Sequence, residues 1–202
     1  MTKIKLCGLS RGADIQAANV LLPDYVGFVF AKKSRRYVAP EQARALKSEL
    51  DTRICAVGVF VDTEPDEIAR LLDEGVIDAA QLHGEQTPAD VRALRESTGR
   101  PVIQAFRVSS RADVLRAEES PADWILLDHG AGGTGASFDW ELAADVRRPF
   151  FLAGGLTPQN AAEAISRCRP FAVDTSSALE TDGKKDPAKM AAFVAAVRGA
   201  GR

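Results

Sequence analysis

The chain has 202 residues, of which 46% are hydrophobic and 27% charged, a composition typical of a globular protein with one full hydrophobic core. Its 26 basic and 28 acidic residues nearly cancel and form no basic tract, so the sequence offers no electrostatic surface for nucleic acid or an anionic membrane. No apolar run approaches the ~20 residues that span a bilayer. Three scattered cysteines argue against a disulfide framework, and with no leader-like segment at the amino terminus they predict a cytoplasmic protein.

Short apolar segments with the character of buried strands recur along the chain, and helical segments lie between them. Eight strands are predicted: Ile4 to Cys7, Tyr25 to Phe30, Ile54 to Val61, Ala79 to Leu82, Val102 to Phe106, Trp124 to Leu127, Phe150 to Ala153 and Phe171 to Val173. Helix starts are indicated by proline or acidic residues after a capping side chain, in Thr63 to Asp66, Thr87 to Asp90, Thr157-Pro158 and Asp186-Pro187. Eight strand and helix pairs in about 200 residues predict an α/β fold, a single (β/α)8 TIM barrel over residues 1–202.

Glycine and serine pairs follow the last three predicted strands. Backbone N–H groups that glycine leaves accessible can bind an anion, and phosphate commonly binds to the loops after strands seven and eight of such barrels. The sequence therefore predicts a phosphorylated small molecule as the partner of this protein. The predicted loops contain Gly132 and Gly133, Gly154 and Gly155, and Ser176 and Ser177.

Two titratable residues end predicted strands and would project from one rim of the barrel. Cys7 closes the first strand beside Gly8, and Asp128 ends the sixth. A cysteine in this place is often buried filler and an aspartate is often a turn residue, but together they suit an acid and base pair. A nearby positive charge easily lowers the pKa of a thiol, about 8.5 when free, which would favour a reactive thiolate. Cys55 and Cys168 lack this setting and are interpreted as structural.

Two further polar residues follow strands. Arg36 could reach into the barrel mouth and hold a carboxylate with its planar guanidinium, or it could belong to a solvated basic loop. His83 ends the fourth strand as a proton carrier or as a hydrogen-bonded loop residue. The chain has two histidines and no converging carboxylates beside them, so a metal site is not expected.

Motifs that occur in order along nearly the whole sequence resemble those of the phosphoribosylanthranilate isomerase family. Jointly they are specific, although each glycine motif alone is weak. They are Lys5-Leu6-Cys7-Gly8, Gly27-Phe28-Val29-Phe30, Ser34-Arg35-Arg36-Tyr37, Val57-Gly58-Val59-Phe60, Gln81-Leu82-His83-Gly84, Leu127-Asp128, Gly132-Gly133-Thr134-Gly135, Phe138-Asp139-Trp140, Ala153-Gly154-Gly155-Leu156 and Asp174-Thr175-Ser176-Ser177.

The resemblance implies an Amadori rearrangement of N-(5-phosphoribosyl)anthranilate in tryptophan biosynthesis, with no cofactor and no metal. By this resemblance Asp128 is the general acid at the ribose ring oxygen, and Cys7, as thiolate, is the general base at carbon 2. Arg36 would contact the anthranilate carboxylate. The remaining substrate contacts would come from His83, Gly132, Gly133 and Asp174, and the phosphate contacts from Gly154, Gly155, Ser176 and Ser177.

The sequence departs from the family pattern in the last phosphate loop. Thr175 and Ala178 stand where the family usually has valine and glycine. If position 178 required a positive φ, alanine would be strained there. Neither change removes a proposed catalytic group.

Other interpretations stay open on the sequence alone. A ribulose-phosphate epimerase would need metal ligands that this chain lacks. A histidine-pathway isomerase would be expected to have aspartates at two strand ends, one of which is Cys7 here. A barrel that only binds a phosphorylated ligand is the third alternative. A monomer is preferred, with a homodimer as the alternative.

Overall fold

Eight parallel strands close into a barrel in the computed structural model, which describes residues 1–129 and 140–200. Neighbouring strands pair in chain order, and β1 pairs with β8 to complete the ring, as the sequence predicted. The strands are β1 Lys3–Cys7, β2 Tyr25–Val29, β3 Cys55–Phe60, β4 Ala79–Leu82, β5 Val102–Val108, β6 Trp124–His129, β7 Phe150–Leu152 and β8 Ala172–Thr175.

Helices surround the ring and pack their apolar sides on it. Within the described ranges they are α1 Gly12–Leu21, α2 Pro40–Glu49, α3 Pro65–Asp73, α4 Pro88–Thr98, α5 Arg111–Glu118, α6 Trp140–Ala144, α7 Ala161–Cys168 and α8 Pro187–Gly199. None of these helices is long and apolar enough to cross a membrane.

The predicted helix starts are confirmed at three of four places. Helices α3, α4 and α8 begin at the proline of each segment, and Thr87 and Asp186 accept backbone hydrogen bonds from the first turns of α4 and α8. The start of α7 at Thr157 is wrong by a few residues. There the Asn160 side chain accepts the N–H of Thr157 at 2.8 Å, which stabilises a turn, and the helix begins at Ala161.

The two ends of the barrel interior differ in polarity. Tyr25, Trp124 and Phe171, at or beside the first residues of their strands, surround Phe151 with ring centroids 5.3, 6.2 and 5.7 Å from it. This aromatic cluster fills the amino end of the barrel. Polar and ionisable side chains of the interior therefore lie toward the carboxyl ends of the strands, where the loops provide access.

A short antiparallel hairpin that the sequence did not predict lies between β8 and α8. It consists of β9 Glu180–Thr181 and β10 Lys184–Lys185, joined by Asp182 and Gly183 with φ of 50° and 75°. Positive φ at both central residues matches the twist of a two-residue hairpin. Before it, Ala178 lies in a single 3₁₀ turn and is not among the residues with positive φ, so alanine is unstrained there.

Candidate active site

Cys7 lies at the carboxyl end of β1 and faces the barrel interior. Its residue is 9% exposed, and its partner in register on β2 is Gly27. A Cβ atom at Gly27 would lie 2.6 Å from the Cys7 sulfur, far closer than atoms can pack. The thiol therefore occupies the space that a side chain on β2 would otherwise fill.

Lys5 and Asp174 form an ion pair inside the barrel. They are register partners on β1 and β8, and the Lys5 Nζ donates to Asp174 Oδ2 at 2.9 Å. Cys7 lies two residues further along the same strand, so its side chain and that of Lys5 face the same side. Burial disfavours the Lys5 ammonium, but Asp174 and Cys7 outweigh it, so the pKa of Lys5 is raised. Asp174 Oδ1 is buried without a hydrogen-bond partner among the described residues.

Burial raises the pKa of the Cys7 thiol. The positive charges of Lys5 and Lys185 act in the opposite direction, while the Asp174 carboxylate adds to the effect of burial. The expectation that positive charge would bring this pKa below its usual value is therefore wrong: the cations are present, but desolvation outweighs them. Cys7 is a thiol at neutral pH and ionises at higher pH.

Asp128 and His83 meet on another side of the mouth. Strand β6 extends through Asp128 to residue 129, and the Asp128 Oδ2 lies 3.8 Å from the Nε2 of His83 at the end of β4. Both side chains are about one-quarter exposed. Burial and the positive charges of Lys5 and Arg107 lower the pKa of His83, so the imidazole is neutral near neutral pH. The pair is thus a carboxyl group beside a neutral imidazole.

Arg36 holds a carboxylate, as its fork geometry suggested, but this carboxylate belongs to the protein. Its Nε and Nη2 lie 2.5 and 3.0 Å from the two oxygens of Glu180 on β9. Arg35 and Lys185 also bind Glu180, each at 2.8 Å. Burial would raise the pKa of Glu180, but the hydrogen bonds from Arg36 and Lys185 lower it. Arg36 is thereby fixed over Gly8, whose φ is +78°.

Lys185 connects the hairpin to β8 and β1. Its buried ammonium donates to the carbonyl oxygen of Ser176 at 2.9 Å and to the Ser176 hydroxyl oxygen at 3.1 Å. The Ser176 hydroxyl in turn donates to the Cys7 carbonyl oxygen at 2.9 Å. The backbone that carries Cys7 is therefore held in register with the loop after β8.

The two loops predicted to bind phosphate are adjacent and cross-braced. Gly154 and Gly155, directly after β7, have φ of 87° and 68°, a conformation that favours glycine. The Thr175 hydroxyl at the end of β8 donates to the Leu156 carbonyl at 2.8 Å, so the threonine that replaces the usual valine links the loops. Asn160 Nδ2 donates to the Gly155 carbonyl at 3.0 Å. Ser176 and Ser177 follow β8, whereas Gly132 and Gly133 lie outside the described residues.

Sequence reasoning missed three charged residues that bind or lie beside the candidate residues Cys7, Arg36 and Asp174: Lys5, Glu180 and Lys185. The orientation of Lys5 could have been inferred, because a lysine two residues from Cys7 on one strand must face the same side. Asp174, on the strand that closes the ring, could then have been recognised as its ion-pair partner. Glu180 and Lys185 depend on the hairpin and gave no comparable signal.

A closed (β/α)8 barrel with ionisable side chains and glycine loops at the carboxyl ends of its strands defines a barrel enzyme. The sequence model for N-(5'phosphoribosyl)anthranilate (PRA) isomerase matches residues 4–196. The N-(5'-phosphoribosyl)anthranilate isomerase of Endomicrobium trichonymphae is 41% identical over 202 residues, covering 98% of this chain and 99% of the relative. The chain therefore belongs to the phosphoribosylanthranilate isomerase family, an isomerase family of tryptophan biosynthesis.

Solved structures agree with this assignment. The phosphoribosyl anthranilate isomerase of Thermotoga maritima superimposes with a TM-score of 0.91 at 39% identity, covering 98% of this chain and all of that one. A second isomerase structure, described as a complex with reduced 1-(o-carboxyphenylamino)-1-deoxyribulose 5-phosphate, superimposes with a TM-score of 0.89 at 38% identity and the same coverage. The resemblance stated from the motifs is confirmed, and the epimerase and histidine-pathway interpretations are set aside.

Proposed function

We propose that residues 1–202 form one catalytic domain that rearranges N-(5-phosphoribosyl)anthranilate to 1-(2-carboxyphenylamino)-1-deoxyribulose 5-phosphate. The observation that carries the proposal is the placement of Cys7 and Asp128 at the carboxyl ends of β1 and β6 of one family barrel. No cofactor and no metal takes part in it. Among the described residues, no group of three His, Cys, Asp or Glu side chains could hold a metal ion.

Asp128 is the proposed general acid. Its carboxyl proton goes to the ribose ring oxygen, the bond between that oxygen and carbon 1 breaks, and the anthranilate nitrogen supplies the electron pair of the resulting iminium ion. The neutral imidazole of His83, 3.8 Å away, helps to orient the carboxyl group and contributes no positive charge that would favour its ionisation.

Cys7 is the proposed general base. As thiolate it takes the proton from carbon 2 of the iminium ion, and the electrons of that C–H bond form an enolamine, which tautomerises to the ketone. An acid or a base in this position contributes roughly 10² to 10⁴ in rate. Because burial raises the pKa of Cys7, the base is supplied by the thiolate fraction, which grows with pH.

The two ends of the substrate have separate proposed contacts. Gly154, Gly155, Ser176 and Ser177 hold the phosphate, and this fixes the reacting carbons between acid and base. Arg36 keeps Nε and Nη2 on Glu180, and the rest of its five N–H donors are offered to the anthranilate carboxylate.

The remaining substrate contacts involve the ribose. The unpartnered Asp174 Oδ1 is an acceptor for a ribose hydroxyl. His83, Gly132 and Gly133 complete the proposed set.

The experiment follows the loss of fluorescence when the protein is mixed with freshly generated phosphoribosylanthranilate in the presence of a metal chelator. Cys7→Ser and Asp128→Asn are expected to lose nearly all turnover while keeping the wild-type circular dichroism spectrum. Cys55→Ser, at the amino end of β3, is the matched control and should keep the wild-type turnover. A folded wild-type protein that binds phosphate but does not turn over the substrate would contradict the proposal in favour of a binding-only barrel.

The assembly state and cellular location are further parts of the proposal. A related Thermotoga maritima isomerase is described as dimeric with engineered monomers, while this chain is proposed to be a monomer. Size-exclusion chromatography with light scattering tests this. Three free cysteines support a cytoplasmic location.

A further inference from the structure

Lys5 is a charged side chain wholly inside the barrel to which the proposed chemistry gives no part. Its side chain is 0% exposed, and its Nζ lies 2.9 Å from Asp174 Oδ2. Taking an ammonium out of water is costly, and one carboxylate contact in good geometry compensates only part of that cost. A lysine in this place therefore calls for a physical explanation beyond packing.

Cys7 shares a strand face with Lys5. The two residues are two positions apart on β1, so their side chains point to the same side, and both are buried in the barrel. Gly27, the register partner of Cys7 on β2, has no side chain that could donate to the sulfur. This face of β1 thus carries the Lys5 ammonium, paired with Asp174, and then Cys7 at the carboxyl end of the strand.

The other charged groups that face Cys7 act more weakly or are already bound. Asp174, on β8, opposes ionisation of the thiol. Lys185, on β10, favours ionisation, but its ammonium is bound by Glu180 and Ser176. Arg36 is likewise bound by Glu180, whereas Lys5 lies on the same strand as Cys7 and faces the same side.

We propose that Lys5 is a positioning residue that acts through Cys7: Asp174 holds the ammonium in the barrel interior, on the face of β1 that Cys7 shares, and this charge stabilises the thiolate that serves as base. The inference rests on the proposed function in that Cys7 is taken to be the base. Ionisation of Cys7 gives its proton to water at the barrel mouth and leaves one cation for two anions. Without Lys5, two anions would be buried side by side.

The arrangement predicts opposite effects for the two partners of the ion pair. An opposite charge at this range shifts a pKa by about 1 to 3 units, and a like charge shifts it the other way. Lys5→Met, of similar length and neutral, should raise the inflection of Cys7 ionisation by at least about one pH unit, which is a tenfold loss of thiolate at a fixed lower pH. Asp174→Asn should lower the inflection, because Lys5 then has only the thiolate as its anion.

The experiment measures the ionisation of Cys7 directly. Thiolate absorbance in the ultraviolet is recorded against pH and corrected with Cys7→Ser, and alkylation of Cys7 by iodoacetamide is followed by peptide mass spectrometry. Burial raises the pKa of Cys55 to about 12 and that of Cys168 to about 11, so all three thiols ionise in the alkaline range. The Cys7→Ser subtraction and the peptide that carries Cys7 therefore isolate its signal. Lys5→Arg should restore much of the wild-type inflection.

Lys47→Met is the matched control, since Lys47 also pairs with an aspartate, Asp78, outside the barrel mouth. It should leave the Cys7 inflection where it is. An unchanged inflection in folded Lys5→Met would overturn the inference, and so would a rise in both Lys5→Met and Asp174→Asn, which would show general disturbance of the barrel. These readouts need no substrate, so they stand or fall separately from the isomerase activity.

Discussion

Gly27 provides the sharpest test of how closely activity depends on the position of Cys7. In Gly27→Ala the new Cβ would lie 2.6 Å from the Cys7 sulfur and 3.1 Å from its Cα. The sulfur must move about 0.8 Å to reach the 3.4 Å at which ordinary contact begins. It has little room, because Cys7 is buried and clusters with Val29 and Val59.

Two effects on stability partly cancel in this variant. Overpacking a buried site costs about 1–3 kcal/mol, while alanine in a strand gains about 0.5–1 kcal/mol over glycine. The expected net loss is about 0–2.5 kcal/mol, which for a chain of this length lowers the Tm by at most about 10 °C. A misplacement of about 1 Å can cost 10²-fold in rate, so kcat should fall by about two orders of magnitude in protein that is still folded.

The assay combines the fluorescence turnover measurement with a thermal melt. Gly12→Ala is the matched control: the added Cβ would have Glu49 Oε2 at 3.6 Å as its nearest neighbour, and Gly12 begins α1. We expect unchanged activity there and a stability equal to wild type or up to about 1 kcal/mol higher. A Gly27→Ala protein with lowered Tm and wild-type kcat would refute the assignment of Cys7 as the base.

Three further variants test other parts of the structure. Phe151→Ala, in the aromatic cluster at the amino end, should lower the free energy of unfolding by about 3–5 kcal/mol in chemical denaturation and leave kcat of the folded fraction unchanged. The pKa of Glu180 is lowered in the fold, so its stabilising effect is present above the unfolded value near about 4.3 and is lost as pH falls through the folded value. The Tm of wild type should therefore fall more steeply with decreasing pH than the Tm of Glu180→Gln. Equal slopes of Tm against pH would contradict the ion-pair interpretation. Thr87→Ala removes the cap of α4 and should cost about 1 kcal/mol without changing KM.

The fold could be predicted from the sequence because the strands of a closed parallel barrel are apolar on both faces. Every predicted strand is present, and Ala79 to Leu82 agrees at both ends. The errors lie at boundaries, as at β6, which continues through Asp128 because the rim residues still pair with β5. The apolar run in the sequence ends before the strand does, because polar residues at the rim still form the backbone hydrogen bonds of the sheet.

The sequence predicted which end of the barrel the candidate residues share, but not the charges that act on them. Cys7, Asp128, Arg36 and His83 all lie at the carboxyl end of the barrel, and the raised pKa of Cys7 could not be foreseen because burial is a property of the assembled ring. The partners that fix Arg36 and Lys5 are 144 and 169 positions away in the chain. No local pattern specifies such pairings, although the alternation of side chains along β1 limits what Lys5 can face.

The charged groups of the mouth form two connected sets with different consequences. Glu180 gathers Arg35, Arg36 and Lys185, and because this set lies on loops and the hairpin, its loss should weaken substrate binding and acid stability while the barrel persists. Lys5 and Asp174 lie on the strands themselves, so their loss should alter the ionisation of Cys7 while the loops keep their shape. If both statements hold, Glu180→Gln changes KM with the Cys7 inflection unmoved, and Lys5→Met changes kcat and the inflection together. The hydroxyl of Ser176 donates to the Cys7 carbonyl oxygen and accepts from Lys185, so it connects the Glu180 set to the strand that carries Lys5 and Cys7, and Ser176→Ala should couple the two effects.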